Sequence, residues 1–108
     1  MSDALLVLTN APDAEAAERI ARHLVEHRLA ACVNQLAPCR STYRWNGAVE
    51  EAEEIPLLIK TTAARYPELE AALRALHPYE LPELIAVGIE RGLPGYLAWV
   101  ADETRIEP

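Results

Sequence analysis

Apolar positions near the start of the chain follow first a strand pattern and then a helix pattern. Residues 4–9 (ALLVLT) form an uninterrupted apolar run, which predicts a short buried strand. Asp13 then stands at the expected N-cap of a helix that runs to about His27. The apolar side of this helix consists of Ala17, Ile20, Ala21 and Leu24.

The longest patterned region comprises residues 31–45 and 48–61, joined by Asn46-Gly47. This dipeptide is a strong signal for a two-residue hairpin turn in which both residues have positive φ. Opposite charges then face each other across the ladder, which stabilises the register by roughly 0.2–1 kcal/mol per pair. The predicted pairs are Arg44 with Val49, Thr42 with Glu51 and Arg40 with Glu53. The other face of the first arm carries Cys39, Ser41, Tyr43 and Trp45.

Two prolines interrupt this hairpin at one level, where the same count pairs Pro38 with Ile55 and Ala37 with Pro56. Because proline cannot donate a ladder hydrogen bond, we expect a bulge, a bend or an edge there. Each arm of about 14 residues spans roughly 45 Å, whereas a globule of this size has a radius of gyration of only about 13 Å. The hairpin tip must therefore overhang, and we predict an obligate homo-oligomer in which copies of the chain pair.

The second half of the chain predicts a helix, a strand and a short closing helix. The helix should begin at Thr61 or Thr62, carry Pro67 in its first turn and end at His77. Its apolar stripe consists of Leu69, Ala72, Leu73 and Leu76. Residues 84–89 form the next apolar run.

The predicted order is strand, helix, long hairpin, helix, strand and short C-terminal helix, within a single domain spanning residues 1–108. This order is typical of the α+β class and of its ferredoxin-like split βαβ (βαββαβ) arrangement. Right-handed crossovers would place the first two helices on one face of the sheet.

Residues 77–83 (HPYELPE), here termed the proline-rich loop, connect the second helix to the last strand. Its prolines push His77 and Leu81 out of the helical region. The loop carries an imidazole, a phenol and two carboxylates, where a plain connector would carry Gly, Asn and Ser. Two interpretations remain open: a rigid loop with a helix-capping histidine, or a site where side chains are held for function.

Charge and hydropathy exclude several classes of protein. The net charge of −7 disfavours a nucleic-acid partner, which requires a basic face. No apolar run approaches the ~18 residues of a membrane span. The first residues lack the basic character of a secretory signal, so we expect a cytoplasmic location.

Few residues suggest a catalytic or ligand-binding role. No nucleophile is accompanied by a base and no phosphate-binding loop is present, so we expect a protein that is not an enzyme. Lys60 is the only lysine beside nine arginines, which either marks a site for a compact ammonium or is chance. Cys32 is interpreted as a small buried hydrophobe or a soft metal ligand. Trp45 and Trp99 are packing or interface residues, or ligand platforms.

Two further clusters are interpreted as solvated. Residues 23–27 (HLVEH) match an H-x-x-E-H zinc pattern, but no third ligand is placed beside them. We therefore predict that His23 and His27 are solvated boundary residues. An acidic cluster is expected to be a solvated face, with weak cation attraction as the alternative. It comprises Glu50, Glu51, Glu53 and Glu54.

Several motifs stand together in the order seen in one known family. They are ACVN at 31–34, YRWNG at 43–47, IKT at 59–61, HPYELPE at 77–83 and YLAW at 96–99. From about Leu6 to Asp102 the chain resembles the CutA divalent-cation tolerance family. The resemblance implies a ferredoxin-like homotrimer in the cytoplasm, with a role in tolerance to copper and other divalent metals.

The resemblance also implies a location for the site. CutA trimers are similar to PII signalling proteins, whose ligands bind in clefts between subunits, so a PII-like signalling role is the alternative. The motifs carry over Cys32, Trp45, Lys60, Tyr79 and Glu80 as candidate ligand-binding residues and His77 as the candidate metal ligand. No cofactor is required; copper or another divalent metal is the candidate ion, and the expected partner is the chain itself.

One departure from the family pattern concerns copper. Some bacterial members are assigned a copper site made of a cysteine at the end of the first strand and two consecutive histidines before Pro-Tyr. This chain has Thr9 at the first position and Leu76-His77 at the second. High-affinity copper binding by that route is therefore not expected.

Overall fold

The computed structural model describes residues 3–106, and within this range the chain forms five strands and three helices. The result is an α+β fold, as predicted, with the first arm of the long hairpin divided into two strands. The elements are β1 (Ala4–Ala11), α1 (Ala14–Glu26), β2 (Cys32–Gln35), β3 (Cys39–Trp45), β4 (Ala48–Thr62), α2 (Tyr66–Leu76), β5 (Ile85–Gly88) and α3 (Pro94–Glu103).

The strands form one antiparallel sheet in the order β2-β4-β1-β5, and β3 pairs with the outer part of β4. This order and pairing agree with the predicted split βαβ arrangement. Along its length β4 has two different environments, since its second half lies between β1 and β2 while its first half pairs with β3. None of the helices in residues 3–106 is both long enough and apolar enough to cross a bilayer.

The hairpin tip has the predicted turn and register. Asn46 and Gly47 have φ values of 49° and 80°, as a two-residue turn of this type requires. All three predicted pairs are present, including Arg40 with Glu53. The guanidinium of Arg40, however, contacts the diagonal neighbour Glu51 at 3.3 Å, and both side chains are largely exposed. This ion pair therefore contributes little to stability.

The register changes between β2 and β3, at the level of the two prolines. Gln35 pairs with Leu57, while Cys39 pairs with Glu54, so four steps on one arm oppose three on the other. The predicted irregularity is confirmed, but the predicted pair of Ala37 with Pro56 is wrong, since the Leu36 amide donates to the Pro56 carbonyl at 3.0 Å. The extra residue in residues 36–38 appears where neither Pro38 nor Pro56 can donate a ladder hydrogen bond.

The helices α1 and α2 pack on one face of the sheet and enclose the core. The fully buried side chains of this core include Val7, Ile20, Leu24, Leu57, Ile59, Leu69 and Leu73. At the N-cap of α1, the Asp13 carboxylate accepts a 2.8 Å hydrogen bond from the Ala16 amide, as predicted. The expected start of α2 at Thr61 or Thr62 is wrong, because both belong to β4 and the Thr61 hydroxyl donates to the Leu29 carbonyl at 2.6 Å.

The opposite face of the sheet, here termed the open face, is apolar but only partly covered. Its side chains lie in two rows across four strands, because directly paired residues point to the same side. The rows are Cys32-Lys60-Leu6-Val87 and Asn34-Leu58-Leu8-Ile85. Ile85 and Val87 are 53% and 50% exposed, although α3 packs against β4 and β1.

The molecule is elongated, as the length of the hairpin predicts. Its principal extents are 45 × 26 × 23 Å, with a radius of gyration of 14.5 Å. The hairpin tip, from Cys39 to Glu54, carries exposed polar side chains on both arms, and its exposed aromatic residues, Tyr43 and Trp45, lie on β3.

Candidate functional site

A cleft of about 870 Å³ separates the hairpin tip from the proline-rich loop. The tip contributes the face of β3 and β4 that bears the aromatic side chains, and the loop closes the opposite side. The lining residues are Asn10, Ser41, Thr42, Tyr43, Arg44, Trp45, Glu50, Glu54, Pro78, Tyr79, Glu80, Leu81, Pro82 and Glu83.

His77 anchors the loop beside this cleft. Its backbone is extended (φ −73°, ψ 134°), as the following proline predicts, and only 7% of the residue is exposed. The Tyr79 amide donates to Nδ1 at 3.1 Å, so Nε2 carries the ring proton and donates to the Asn10 carbonyl at 2.7 Å. Both ring nitrogens are therefore occupied. A metal at His77 would have to displace one of these hydrogen bonds, and its role as a ligand stays a prediction.

A phenol–carboxylate pair connects the loop to the hairpin. The Tyr79 hydroxyl donates to Glu54 at 2.9 Å, and Glu54 is only 8% exposed. Burial raises the pKa of Tyr79 to about 12, with further contributions from the hydrogen bond to Glu54 and the charge of that carboxylate. Tyr79 therefore remains a neutral donor at physiological pH.

The end of β1 holds the far side of the loop. The Thr9 hydroxyl donates to the Glu83 carbonyl at 2.6 Å, and the Asn10 side-chain amide donates to the Glu83 carboxylate at 3.0 Å. Thr9, where some family members are expected to carry cysteine, is buried and uses its hydroxyl to position the loop. With His77 and Tyr79, these contacts make the loop rigid.

The electrostatics of the cleft favour positively charged ligands. Four carboxylates line it, from Glu50, Glu54, Glu80 and Glu83, whereas Arg44 is its one arginine among residues 3–106. Tyr43 and Trp45 are 40% and 44% exposed and present aromatic surface to the same space. Aromatic faces and carboxylates both attract cations.

The structure divides the predicted ligand-binding residues into two groups. Trp45, Tyr79 and Glu80 line the cleft, but Cys32 and Lys60 are not among its lining residues in the described part of the chain. Cys32 and Lys60 instead form a directly opposed pair on the open face. One chain therefore does not bring all five together.

The open-face group has its own contacts. The Lys60 ammonium donates to the Asn34 side-chain oxygen. Cys32 is half-buried as a free thiol beside the Tyr96 hydroxyl. Burial raises the pKa of Tyr96. The charge of Cys32 and the hydrogen bond between Cys32 and Tyr96 raise it further.

Three residues that shape the cleft, Asn10, Glu54 and Glu83, were not among the predicted site residues. Glu83 was noted only as one of two carboxylates in the proline-rich loop, and Glu54 only as part of the acidic cluster. The prediction of a solvated acidic face is wrong for Glu54, since the Tyr79 phenol covers it, and correct for the exposed Glu50, Glu51 and Glu53. The signal available in the sequence was the position of Glu54, which directly precedes Ile55 and Pro56, where the hairpin leaves the sheet.

Histidine, cysteine and acidic side chains in residues 3–106 nowhere form a group of three suited to a metal. His27 is exposed, as predicted, and His23 is half-buried, so the two lie at the boundary of α1.

Comparison with known proteins decides the family. Residues 5–103 match the family model described as CutA1 divalent ion tolerance protein. The chain belongs to this family. The resemblance inferred from the motifs is thereby confirmed, and the matched CutA1 region contains every candidate site residue.

Individual CutA relatives agree over most of the chain. A "Divalent-cation tolerance protein CutA" from Thermus thermophilus is 46% identical over 99 residues, which cover 92% of this chain and 96% of the relative. The mouse "Protein CutA" is 45% identical over 86% of this chain, which spans only 52% of that longer protein.

Solved CutA structures share the fold. The crystal structure of CutA from Xylella fastidiosa matches with a TM-score of 0.93 and 51% identity, covering 95% of this chain and 99% of that one. CutA1 from Oryza sativa matches with a TM-score of 0.94 at 35% identity, covering 98% and 97%.

Proposed function

We propose that the protein is a cytoplasmic, homotrimeric divalent-cation tolerance protein that binds copper or other divalent metals. Membership of the CutA1 family carries this proposal. The acidic, aromatic cleft supports the choice of a cation as ligand, because its carboxylates outnumber its cationic groups. No enzymatic step is part of the proposal.

The trimer is supported by two surfaces that one chain leaves incomplete. The open face exposes half of Ile85 and Val87. The hairpin tip extends beyond the core, and within residues 3–106 no strand pairs with the second edge of β3. Light scattering after gel filtration should give about three times the chain mass of 12.0 kDa. Val87→Asp should lower that mass, because it places a charge in the apolar contact. A monomeric wild type would disprove the trimer.

The metal assignment is tested by titrating the wild type, His77→Ala and Cys32→Ala with Cu²⁺. We expect at least one substitution to weaken binding. If both variants bind as the wild type does, neither residue is a ligand. A strain lacking the gene should also become more sensitive to Cu²⁺ and recover when the wild-type gene is restored.

The alternative is a PII-like signalling trimer that binds a small anionic ligand between subunits. Lys60 favours it, because this ammonium on the open face has Asn34 as its hydrogen-bond partner and could meet a ligand at a subunit boundary. The carboxylates of the cleft oppose an anion there. A thermal-shift screen of nucleotides and small anions tests this role, and Lys60→Gln should abolish any shift that depends on the ammonium.

Location needs its own experiment. The solved structure from Archaeoglobus fulgidus is described as a periplasmic divalent cation tolerance protein. We propose a cytoplasmic location for this chain, as its resemblance to the CutA family implies, and fractionation of the native host with antibody detection tests it.

A further inference from the structure

The last turn of α1 presents two histidines that the cleft does not use. The rings of His23 and His27 stack with their centroids 4.0 Å apart and their planes inclined by 24°. Because they are four residues apart, both project from one side of the helix. His27 is exposed and His23 half-buried, so solvent reaches this pair.

One hydrogen bond defines the tautomer of His27. Its Nδ1 lies 3.0 Å from the His23 carbonyl oxygen, which only accepts hydrogen bonds. Nδ1 therefore carries a proton, and in the neutral imidazole Nε2 has the free lone pair. Metal-binding imidazoles have this arrangement, since their second ring nitrogen almost always donates to a carbonyl, carboxylate or water.

The three histidines of the chain thus differ in availability. Both nitrogens of His77 are hydrogen-bonded to the backbone of Asn10 and Tyr79. The α1 pair offers the Nε2 atom of His27 and a neighbouring imidazole on an accessible surface. A metal can bind there without breaking a contact that holds the loop.

The electrostatic setting favours a cation at this pair. His23 lies in the last turn of α1 and His27 is its C-cap, where the helix dipole places a partial negative charge. The Arg65 guanidinium, which donates to the His27 carbonyl at 3.4 Å, offsets part of that charge on the backbone side. The whole chain carries a net charge of −7, which raises the local concentration of cations. Imidazole nitrogen is a preferred ligand of Cu²⁺, Ni²⁺ and Zn²⁺.

We propose that His23 and His27 form a two-imidazole surface chelate for a divalent transition metal of this class, with water completing the coordination. Binding requires the exposed rings to turn out of their stack so that one nitrogen of each points at the ion. The proposal is independent of the proposed function, since it involves neither the cleft nor a second chain. The helix lies on the core side of the sheet, opposite the open face, so assembly through that face leaves the pair accessible.

Titration calorimetry of the full chain with Cu²⁺ and with Ni²⁺, which thiols do not reduce, tests the chelate. His23→Gln and His27→Gln should each weaken binding by about a hundredfold, because the second ligand no longer acts at a high effective concentration. Electron paramagnetic resonance of the Cu²⁺ complex should show two imidazole nitrogens in the wild type and fewer in either variant.

A matched control keeps the number of histidines and changes only their spacing. Arg22→His combined with His23→Gln places the pair five residues apart, on different sides of the helix, and should bind as weakly as His23→Gln. Circular dichroism verifies that each variant is folded. Absence of binding by the wild type, or equal binding by the spacing variant, would overturn the proposal. Loss of binding in His77→Ala with retention in His23→Gln would also overturn it, while supporting a metal at the proline-rich loop.

Discussion

The two halves of β4 form the same kind of hydrogen-bonded ladder in opposite surroundings. In the half nearest the turn, the strand pairs with β3 and Val49 is 63% exposed. In the other half it lies between β1 and β2, and Leu57 and Ile59 are fully buried under the helices. The strand itself continues without interruption from Ala48 to Thr62.

This difference shows that the conformation of the hairpin and the stability of the fold have different sources. Turn chemistry and cross-strand pairing define the tip, but a two-stranded ribbon is only marginally stable in water. The base adds a packed apolar layer, which supplies most of the stabilisation. Within one chain, the Tyr79–Glu54 hydrogen bond is a direct tie between the end of the tip and the body.

The largest expected effect comes from removing apolar volume in the base. Leu57→Ala should lower the free energy of unfolding by about 2–5 kcal/mol, because it leaves a cavity in the core. The matched change in the tip, Val49→Ala, should alter it by less than about 0.5 kcal/mol. Urea denaturation at one fixed protein concentration measures both. Equal losses would show that the tip has a packed layer of its own.

The next effect concerns the tie between tip and body. Tyr79→Phe should lower the free energy of unfolding by about 1–3 kcal/mol, because the buried Glu54 carboxylate loses its donor. Tyr66→Phe is the control, since that hydroxyl donates to the exposed Glu70 at 3.2 Å, and it should change stability far less. A similar result for both variants would contradict the importance of burial at Glu54.

The same phenol predicts a pH dependence. The pKa of Tyr79 is about 12 in the folded chain, against an ordinary value of about 10. Its contribution is complete below pH 10 and is lost between pH 10 and 12, because the unfolded chain ionises first. By pH 11 part of this contribution should be lost, so the free energy of unfolding should be lower than at pH 9. The wild type, but not Tyr79→Phe, should show this part of the decline in denaturation at pH 9 and 11.

The smallest expected effect lies at the turn. Gly47 has a φ of 80°, and Gly47→Ala would place a side chain in this left-handed conformation at a cost of about 1 kcal/mol. Beyond the adjacent residues, no atom of the described part of the chain lies within 4 Å of the added Cβ, so crowding adds nothing. Asn46→Gly should be better tolerated, and the two are compared by thermal denaturation. A stabilised Gly47→Ala would mean that the turn changes type.

Local chemistry made much of the fold predictable. The Asn46-Gly47 register, the Asp13 cap and the extended conformation of His77 each depend on a few adjacent residues, and each is confirmed. The prolines marked the level at which the register changes, but the extra residue there and the burial of Glu54 were not predictable in the same way. Both depend on contacts between segments that are distant in the sequence, and the pattern of neighbouring residues does not reveal such contacts.

The candidate site shows the same limit. The motif at residues 77–83 marked the loop correctly, but sequence order could not show that Cys32 and Lys60 lie on the open face while Trp45 lies in the cleft. Nor could it show that the ring nitrogens of His77 are used to hold the loop.

The extra residue between β2 and β3 also determines which way the two arms face. Because of it, Cys32 lies opposite Lys60 and Tyr43 lies opposite Glu50. Both partners are even-numbered residues of β4, although Cys32 has an even number and Tyr43 an odd one. Deleting one residue from 36–38 would force one arm to invert its side chains. A single-codon change in length could thus replace the aromatic surface of the tip with its arginine-bearing side, while the helices and the buried core keep their sequence.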